Sequence, residues 1–201
     1  IINFYPYITP NTQWVYLKFM SIKITYTNNN TKKPMRTQIF FVDEKFNINS
    51  INNKISNQES SYLKDLLKTC DLKKNLLVFK VSSKRKIILI SVKKNLETSD
   101  VENLGAEFYT YINYGNKGEF NITADTIKSN IDDFIGCFLH GLKLKSYEFN
   151  IYKSKKEKKI FTINIVGKKN KLTIKNELRF KALEEGSFFA RDLVSEPGNI
   201  L

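Results

Sequence analysis

Apolar and polar residues alternate with a period of two along several short stretches of this chain. Such alternation is typical of strands with one buried face, and together with short apolar runs such as residues 39–42 it predicts five or six strands. The predicted strands cover residues 21–27, 37–43, 76–81, 86–92, 119–122 and 160–166. The basic turn 82–85 alone separates the third strand from the fourth, so the two could form a hairpin or lie as neighbours in one sheet.

Longer stretches show the i, i+3, i+4, i+7 spacing that is typical of an amphipathic helix. The predicted helices cover a short segment around residues 62–67, then residues 98–113, 125–142 and 172–194. Thr98 and Ser99 are candidate N-caps of the second helix. Gly136 and Gly141 lie inside the third helix, where glycine is unfavourable, so we expect this helix to pack closely against a sheet.

Strands and helices are interleaved along the chain, and this order predicts an α/β sandwich with a mixed sheet of five or six strands. We expect residues 20–170 to form this domain and residues 171–201 to form a long helix with its C-terminal end. Residues 1–19 have two interpretations. They are either upstream translated sequence, with Met20 as the biological start, or a genuine N-terminal arm in which Trp14 and Tyr16 pack.

The formal net charge of +13 raises nucleic acid or an anionic membrane as a partner. Only four of the 33 basic residues are arginines, however, whereas lysine, asparagine and isoleucine are abundant throughout. Proteins that read DNA usually rely on arginine, whose planar fork matches phosphates and guanine edges. We therefore attribute the charge to the composition of an AT-rich genome and interpret the basic stretch 153–159 as a solvated loop.

The residues show no catalytic or metal-binding motif. The sequence has no glycine-rich phosphate loop, no His-x-x-x-His and no closely spaced cysteine pair, and its single histidine, His140, cannot form a metal site alone. The acidic pairs Asp132-Asp133 and Glu184-Glu185 are interpreted as solvated helix faces. Cys70 and Cys137 are expected to be buried free thiols. No apolar window of about 18 residues predicts a membrane span, and no cleavable signal peptide is evident.

Two segments resemble the leucyl aminopeptidase (cytosol aminopeptidase) family. Residues 186–201 are similar to the family's junction before its catalytic domain, a helix that reads Ala-Arg-Asp-Leu-Val-Asn and is followed by Pro and Asn. The matching residues are Ala190, Arg191, Asp192, Leu193, Val194, Pro197 and Asn199. Ser195 departs from the pattern, because asparagine is usual there.

The second segment, residues 141–155, resembles the family's Gly-x-x-Leu-x-x-Tyr-x-Phe-x-x-Tyr-Lys sequence at the end of a long helix. The matching residues are Gly141, Leu144, Tyr147, Phe149, Tyr152 and Lys153. A departure occurs at residues 91–94, where family members often carry Gly-Leu-Gly-Lys in a turn and this chain has Ser-Val-Lys-Lys. The resemblance covers residues 125–201, while residues 21–124 agree only in the order of strands and helices.

The resemblance implies a macro-domain-like three-layer sandwich, followed by a long linker helix to a C-terminal catalytic domain beyond Leu201. It implies a cytoplasmic homohexamer that releases N-terminal residues from peptides, with two divalent ions, Mn or Zn, held by the catalytic domain. No catalytic or metal-binding residue can then be assigned here, and the matched residues have structural roles. Two alternatives remain: a module that binds nucleic acid non-specifically, and a stand-alone macro-like domain that binds a nucleotide-derived ligand.

Overall fold

The computed structural model describes residues 22–27, 36–114, 118–150, 152, 160–167 and 174–198. Within them, six strands form one sheet: β1 Ile22–Thr27, β2 Thr37–Asp43, β3 Leu76–Ser82, β4 Arg85–Val92, β5 Glu119–Thr123 and β6 Phe161–Val166. Their order across the sheet is β1-β6-β5-β2-β4-β3. Neighbouring strands are parallel, except that β3 and β4 pair antiparallel as a hairpin. The predicted mixed sheet is therefore confirmed.

Helices cover both faces of the sheet. Those in the described residues are α1 Asn57–Leu67, α2 Thr98–Asn113, α3 Phe134–Lys145 and α4 Ile174–Ser195. On one face, α2 and α3 enclose a core in which the ring of Phe41 meets that of Phe138 edge to face at 5.4 Å. On the other face, α1 and residues 46–55 bury Phe40 and Leu89. The predicted three-layer α/β sandwich with a long C-terminal helix is confirmed.

The second face of the sheet is apolar only over half of its width. Over β2, β4 and β3 it carries the apolar core beneath α1, whereas β1, β6 and β5 present polar side chains. Thr25 donates a hydrogen bond to Asn164. Asn164 Nδ2 donates to Asn121 Oδ1 at 2.9 Å, and Asn121 Nδ2 donates to the carbonyl of Thr37 at 3.1 Å. The apolar layer under α1 therefore ends at β2, and a hydrogen-bonded polar row continues across the remaining strands.

Two glycines allow α2 and α3 to approach each other closely. A Cβ atom added to Gly141 would lie 1.9 Å from the carbonyl oxygen of Glu102 on α2, and one added to Gly105 would lie 1.9 Å from that of Phe138 on α3. Real Cβ atoms do not approach backbone atoms so closely. The expectation that Gly141 packs against a sheet is therefore wrong, because its neighbour is another helix.

The third predicted helix, residues 125–142, begins later than its apolar spacing suggested. Residues Ala124–Thr126 form a single 3-10 turn, and α3 starts only at Phe134. Asp133 immediately precedes α3 with φ 54° and ψ 35°, a left-handed conformation. Ile127 and Ile131 nevertheless pack against the main core. Their partial burial against the core explains the periodic pattern without a helix in this segment.

Two smaller predictions on local structure are also wrong. Glu97, in an extended conformation, precedes α2, and its N–H donates to the Asp100 carboxylate at 2.9 Å, so Thr98 and Ser99 lie inside the helix and do not cap it. A turn was expected at residues 91–94, but Ser91 and Val92 are the last two residues of the strand β4. None of the described helices combines the length and apolarity that crossing a membrane requires.

Candidate functional site

The two segments that resemble the aminopeptidase family contact each other. Tyr147, just after α3, donates a hydrogen bond from its hydroxyl to Asp192 Oδ1 on α4 at 2.7 Å. The Tyr147 ring stacks on Phe188 with centroids 5.5 Å apart, and the Arg191 guanidinium lies 5.5 Å from the same centroid. Arg191 also donates to the carbonyl of Leu144, the last turn of α3, at 2.6 Å. These five residues define the helix-docking site.

A second pair of residues extends the helix-docking site toward the C-terminal end of α4. The Tyr152 hydroxyl donates to the Glu196 carboxylate, and the Tyr152 ring packs against Phe149 with centroids 5.8 Å apart. Glu196 was not among the predicted site residues, and neither was Phe188. Both lie within the matched run, but only the fold shows that they face tyrosines more than forty residues earlier.

The environment of Tyr147 favours its neutral form. Burial is the largest cause, followed by the hydrogen bond that its hydroxyl donates to Asp192, and together they raise the pKa of Tyr147 to about 12. A hydrogen bond with Ser195 and the nearby Arg191 guanidinium lower the pKa but do not outweigh these two causes. Tyr147 is therefore a hydrogen-bond donor over the physiological pH range, and its role here is to hold α4 in place.

A buried polar cluster fixes the middle of α4 to α3. Glu184 is only 4% exposed, and Lys143 Nζ donates to its Oε2 at 2.9 Å. His140 is also buried, with Nδ1 at 3.4 Å from Glu184 Oε1, and its ring lies against Phe180 with centroids 5.4 Å apart. The prediction that Glu184 belongs to a solvated face is therefore wrong. Its negative charge is compensated by side chains from α3, as a buried charge requires.

The first turns of α4 are tied to the start of α3. Asn176 Nδ2 donates to the carboxylate of Asp133, the residue in the left-handed conformation before α3. Asp132 is exposed. The acidic pair Asp132-Asp133 therefore does not share a helix face as predicted, because neither residue lies within α3 and Asp133 contacts α4.

The remaining predicted site residues have different surroundings. Ala190 and Leu193 lie on the exposed side of α4, and Pro197 is exposed after its end. Gly141 makes the close contact with α2 described above. Lys153 and Asn199 lie outside the described residues. Two of the predicted link residues, Arg191 and Asp192, are thus the ones that bind the second segment.

The described residues do not form a metal site. No three His, Cys, Asp or Glu side chains among them lie close enough to hold an ion. The pair His140 and Glu184 is accompanied by Lys143, whose positive charge opposes the binding of a cation. Burial raises the pKa of the Cys137 thiol, with Glu102 adding to the shift, so this sulfur is held as the unreactive thiol. The contacts of these residues, as described above, are those of packing and helix docking.

The chain is similar in fold to leucine aminopeptidases of known structure. A mutant of tomato leucine aminopeptidase aligns with a TM-score of 0.65 and 14% identity, over 90% of this chain and 39% of that chain. Cytosol aminopeptidase from Coxiella burnetii aligns with a TM-score of 0.53 and 16% identity, over 86% of this chain and 33% of that chain. At such low identity the likeness shows a shared fold.

The sequence itself gives no further match. No protein-family model matches it, and no curated protein does so either. The chain spans between a third and two-fifths of the length of the two aminopeptidases that share its fold.

Proposed function

We propose that this chain is the N-terminal, non-catalytic part of a leucyl aminopeptidase, which releases N-terminal residues from peptides. The observation that carries the proposal is the fold match: it covers 90% of this chain but only 39% of the tomato enzyme. A part of that size without a metal site among its described residues fits an accessory domain whose catalytic chemistry lies elsewhere in the polypeptide.

The helix-docking site supports this assignment independently of the global fold. Both segments that resemble the family lie at the interface between α4 and the end of α3, and Tyr147, Arg191 and Asp192 contact one another there. Such contacts set the direction in which α4 leaves the sandwich. In the proposed enzyme, α4 would therefore act as a rigid connection that orients the catalytic domain.

The proposed chemistry belongs to the remainder of the enzyme. Two divalent ions, Mn or Zn, would polarise the scissile carbonyl and supply the attacking hydroxide. We propose that the complete protein assembles as a homohexamer in the cytoplasm, as the family resemblance implies. The role of this part in that assembly would be to position the catalytic domain and to contribute surfaces for subunit contacts.

The coding sequence downstream of Leu201 provides the most direct test. We expect it to continue in frame into a domain with lysine, aspartate and glutamate residues at metal-ligand spacing. An immediate stop codon, with no further coding sequence in frame, would contradict the assignment to an aminopeptidase.

Activity assays provide a second test. The 201-residue chain should not hydrolyse leucine anilide above the buffer rate, with or without added Mn, whereas the complete protein should do so when loaded with Mn or Zn. A variant of the complete protein that lacks the downstream metal ligands is the matched control for contaminating peptidases. Metal-dependent hydrolysis by the purified 201-residue chain would show that the active site lies within these residues.

A further inference from the structure

The helix α4 contacts α3 through a row of residues that is mostly polar. Steps of four residues follow one winding row along a helix, because four residues turn by about 400°. The row of α4 that faces α3 and the residues flanking α3 consists of Asn176, Phe180, Glu184, Phe188 and Asp192. Each of the polar side chains in this docked row takes part in a hydrogen bond described above. Hydrogen bonds therefore form a large part of the contact between the two helices.

The row on the opposite side of α4 contains no polar side chain. It lies two residues further along the chain, which is about 200° around the helix. This apolar row consists of Leu178, Ala182, Gly186, Ala190 and Val194, all of which are exposed. Docking by the apolar row would desolvate no charge, whereas the observed docking buries the carboxylate of Glu184. Apolar burial alone therefore does not account for the face by which α4 docks.

Glu184 lies at the centre of the docked row and is its most deeply buried polar residue. Asn176 and Asp192, by contrast, are only half-buried. Both carboxylate oxygens of Glu184 meet α3: Lys143 Nζ donates to Oε2 at 2.9 Å, and His140 Nδ1 lies 3.4 Å from Oε1. A rotation of α4 by one residue, about 100°, would break both contacts and leave the partly buried ammonium of Lys143 without its carboxylate. Only the observed rotation of α4 therefore satisfies this cluster.

Buried polar residues can specify how two helices pair. In coiled coils, a single buried polar residue fixes the register at a cost in stability, because other registers leave it without a partner. We propose that Glu184 selects the face by which α4 docks on α3, with His140 and Lys143 as its receptors. Glu184 is thus a positioning residue that sets the direction of the helix. The proposal rests on the contacts of α4 and is independent of the proposed peptidase activity.

Thiol labelling on the apolar row measures which face of α4 is docked. A cysteine at position 182 or 190 is exposed while the docked row faces α3, and it becomes protected if α4 turns the apolar row toward α3. Ala182→Cys and Ala190→Cys serve one at a time as reporters in the 201-residue chain. Mass spectrometry of the maleimide-labelled peptides separates each reporter from Cys70 and Cys137. The rate of labelling therefore reports the orientation of the helix.

The main variant, Glu184→Lys, puts a second ammonium group opposite Lys143 and reverses the preference of the cluster. Both reporters should then be labelled at least ~10-fold more slowly than in the wild-type background, because the apolar row turns toward α3. Adding Lys143→Glu restores one acid and one base at the same two positions, and the labelling rate should return to within ~3-fold of the wild-type value. Glu185→Lys, the same change at the adjacent exposed glutamate, is the matched control and should leave both rates unchanged.

Two results would overturn the proposal. One is labelling in Glu184→Lys that is as fast as in the wild-type background or faster, which would mean that α4 keeps its face or leaves α3 altogether. The other is slow labelling in the double variant as well, which would show that the two charges do not act as a pair. Circular dichroism checks that each variant is folded, and Glu184→Ala replaces Glu184→Lys, with the same expected protection, if the latter does not fold. Neither result would bear on the aminopeptidase assignment, which the downstream sequence and the activity assay decide.

Discussion

At the scale of single residues, Gly105 of α2 and Gly141 of α3 lie where no larger side chain fits. Their hydrogen atoms touch the facing backbone, and a methyl group at Gly141 or Gly105 would need the space of a carbonyl oxygen. Backbone atoms cannot move aside as a flexible side chain can. The two helices must therefore separate before either position accepts a larger residue.

Substitution Gly141→Ala should accordingly destabilise the protein. Alanine is favoured over glycine by about 1 kcal/mol within a helix, yet the contact with Glu102 should reverse this gain and cost at least ~2 kcal/mol. Urea unfolding followed by circular dichroism measures the difference. Gly186→Ala, at a helical glycine with open surroundings, is the control and should be stabilising by up to about 1 kcal/mol.

Tyr147 should give the helix-docking site a dependence on alkaline pH. The pKa of Tyr147 in the folded chain is about 12, above its ordinary value of 10.0. The stability contributed by the neutral phenol is therefore complete below about pH 10 and is lost as the pH rises toward 12. Tyr147→Phe keeps the ring but loses the bond to Asp192, so it should cost about 1 kcal/mol at pH 8.

Urea unfolding of the wild type and of Tyr147→Phe at pH 8 and at pH 11 checks this expectation. The difference in unfolding free energy between the two proteins should shrink at the higher pH. A difference that stays constant would mean that the hydroxyl does not contribute through the bond to Asp192.

Glu184 shows why some residue roles could not be predicted from the sequence. Its neighbours along the chain, Leu183 and Glu185, are both exposed, and an acidic pair in a helix usually faces solvent. The partners that make its burial possible, His140 and Lys143, lie more than forty residues earlier. Arg191 and Asp192 were identified only through the family resemblance, because spacing alone does not indicate a partner such as Tyr147.

At the scale of elements, periodicity predicted the position of α4 better than the direction that this helix faces. The predicted helix 172–194 and the observed α4, Ile174–Ser195, nearly coincide. The apolar residues on which that prediction relied are nevertheless largely exposed, because α4 has apolar residues around most of its circumference. Only packing against α3 selects the Phe180 side as the buried one.

The helix α1 has an N-terminus that its sequence specifies well. Ser56 Oγ accepts a hydrogen bond from the N–H of Glu59 at 3.2 Å, and the Glu59 carboxylate accepts one from the N–H of Ser56 at 2.8 Å. Burial alone would raise the pKa of Glu59, but the Ser56 N–H and an ion pair with Arg85 outweigh it and lower the pKa. The capping box fixes the start of α1, and the Glu59–Arg85 ion pair joins it to the hairpin of β3 and β4.

Stability at acid pH should therefore depend on Glu59. A carboxylate with a lowered pKa in the folded state contributes stability above its ordinary value of 4.5, and this contribution is lost as the pH falls through the folded value. Glu59→Gln keeps an acceptor for the Ser56 N–H but loses the charge that faces Arg85. It should destabilise the chain by about 1–2 kcal/mol at pH 7, and it should show a smaller loss of stability than the wild type on acidification.

Thermal unfolding of the wild type and of Glu59→Gln between pH 7 and pH 3 measures how much stability each protein loses on acidification. Lys68→Gln is a suitable control because the ion pair between Lys68 and Asp65 is exposed and should contribute little. Equal pH dependence of the wild type and Glu59→Gln would contradict the role of the ion pair with Arg85.

At the scale of the whole molecule, the strand positions followed from the sequence but their order across the sheet did not. Alternation and short apolar runs predicted five or six strands, and the predicted ends lie within one residue of the observed ends. The order β1-β6-β5-β2-β4-β3 brings together strands from opposite parts of the chain, and no local pattern encodes that pairing. A mixed sheet was predictable because a hairpin joins antiparallel strands, whereas a helix between two strands usually connects parallel ones.

The net charge of +13 leads to a prediction for the whole chain. Since lysine far outnumbers arginine and Arg85 is engaged with Glu59, we expect duplex DNA to be bound without sequence preference. Such binding should fall steeply between about 50 and 200 mM salt, which fluorescence anisotropy measures. Sequence-selective binding that persists at about 200 mM salt would instead support a dedicated nucleic-acid function.

The position of β1 in the sheet has a consequence for the synthesis of the protein. Its neighbour is β6, and the hydrogen bond between Thr25 and Asn164 joins residues 139 positions apart. On the ribosome, β1 must wait for nearly the whole sandwich to be made before its partner emerges. The hairpin of β3 and β4 can form early, whereas β1 can pair with β6 only at the end of synthesis of the sandwich. Nascent chains paused before residue 161 should therefore expose Ile22 and Ile24 to chaperones.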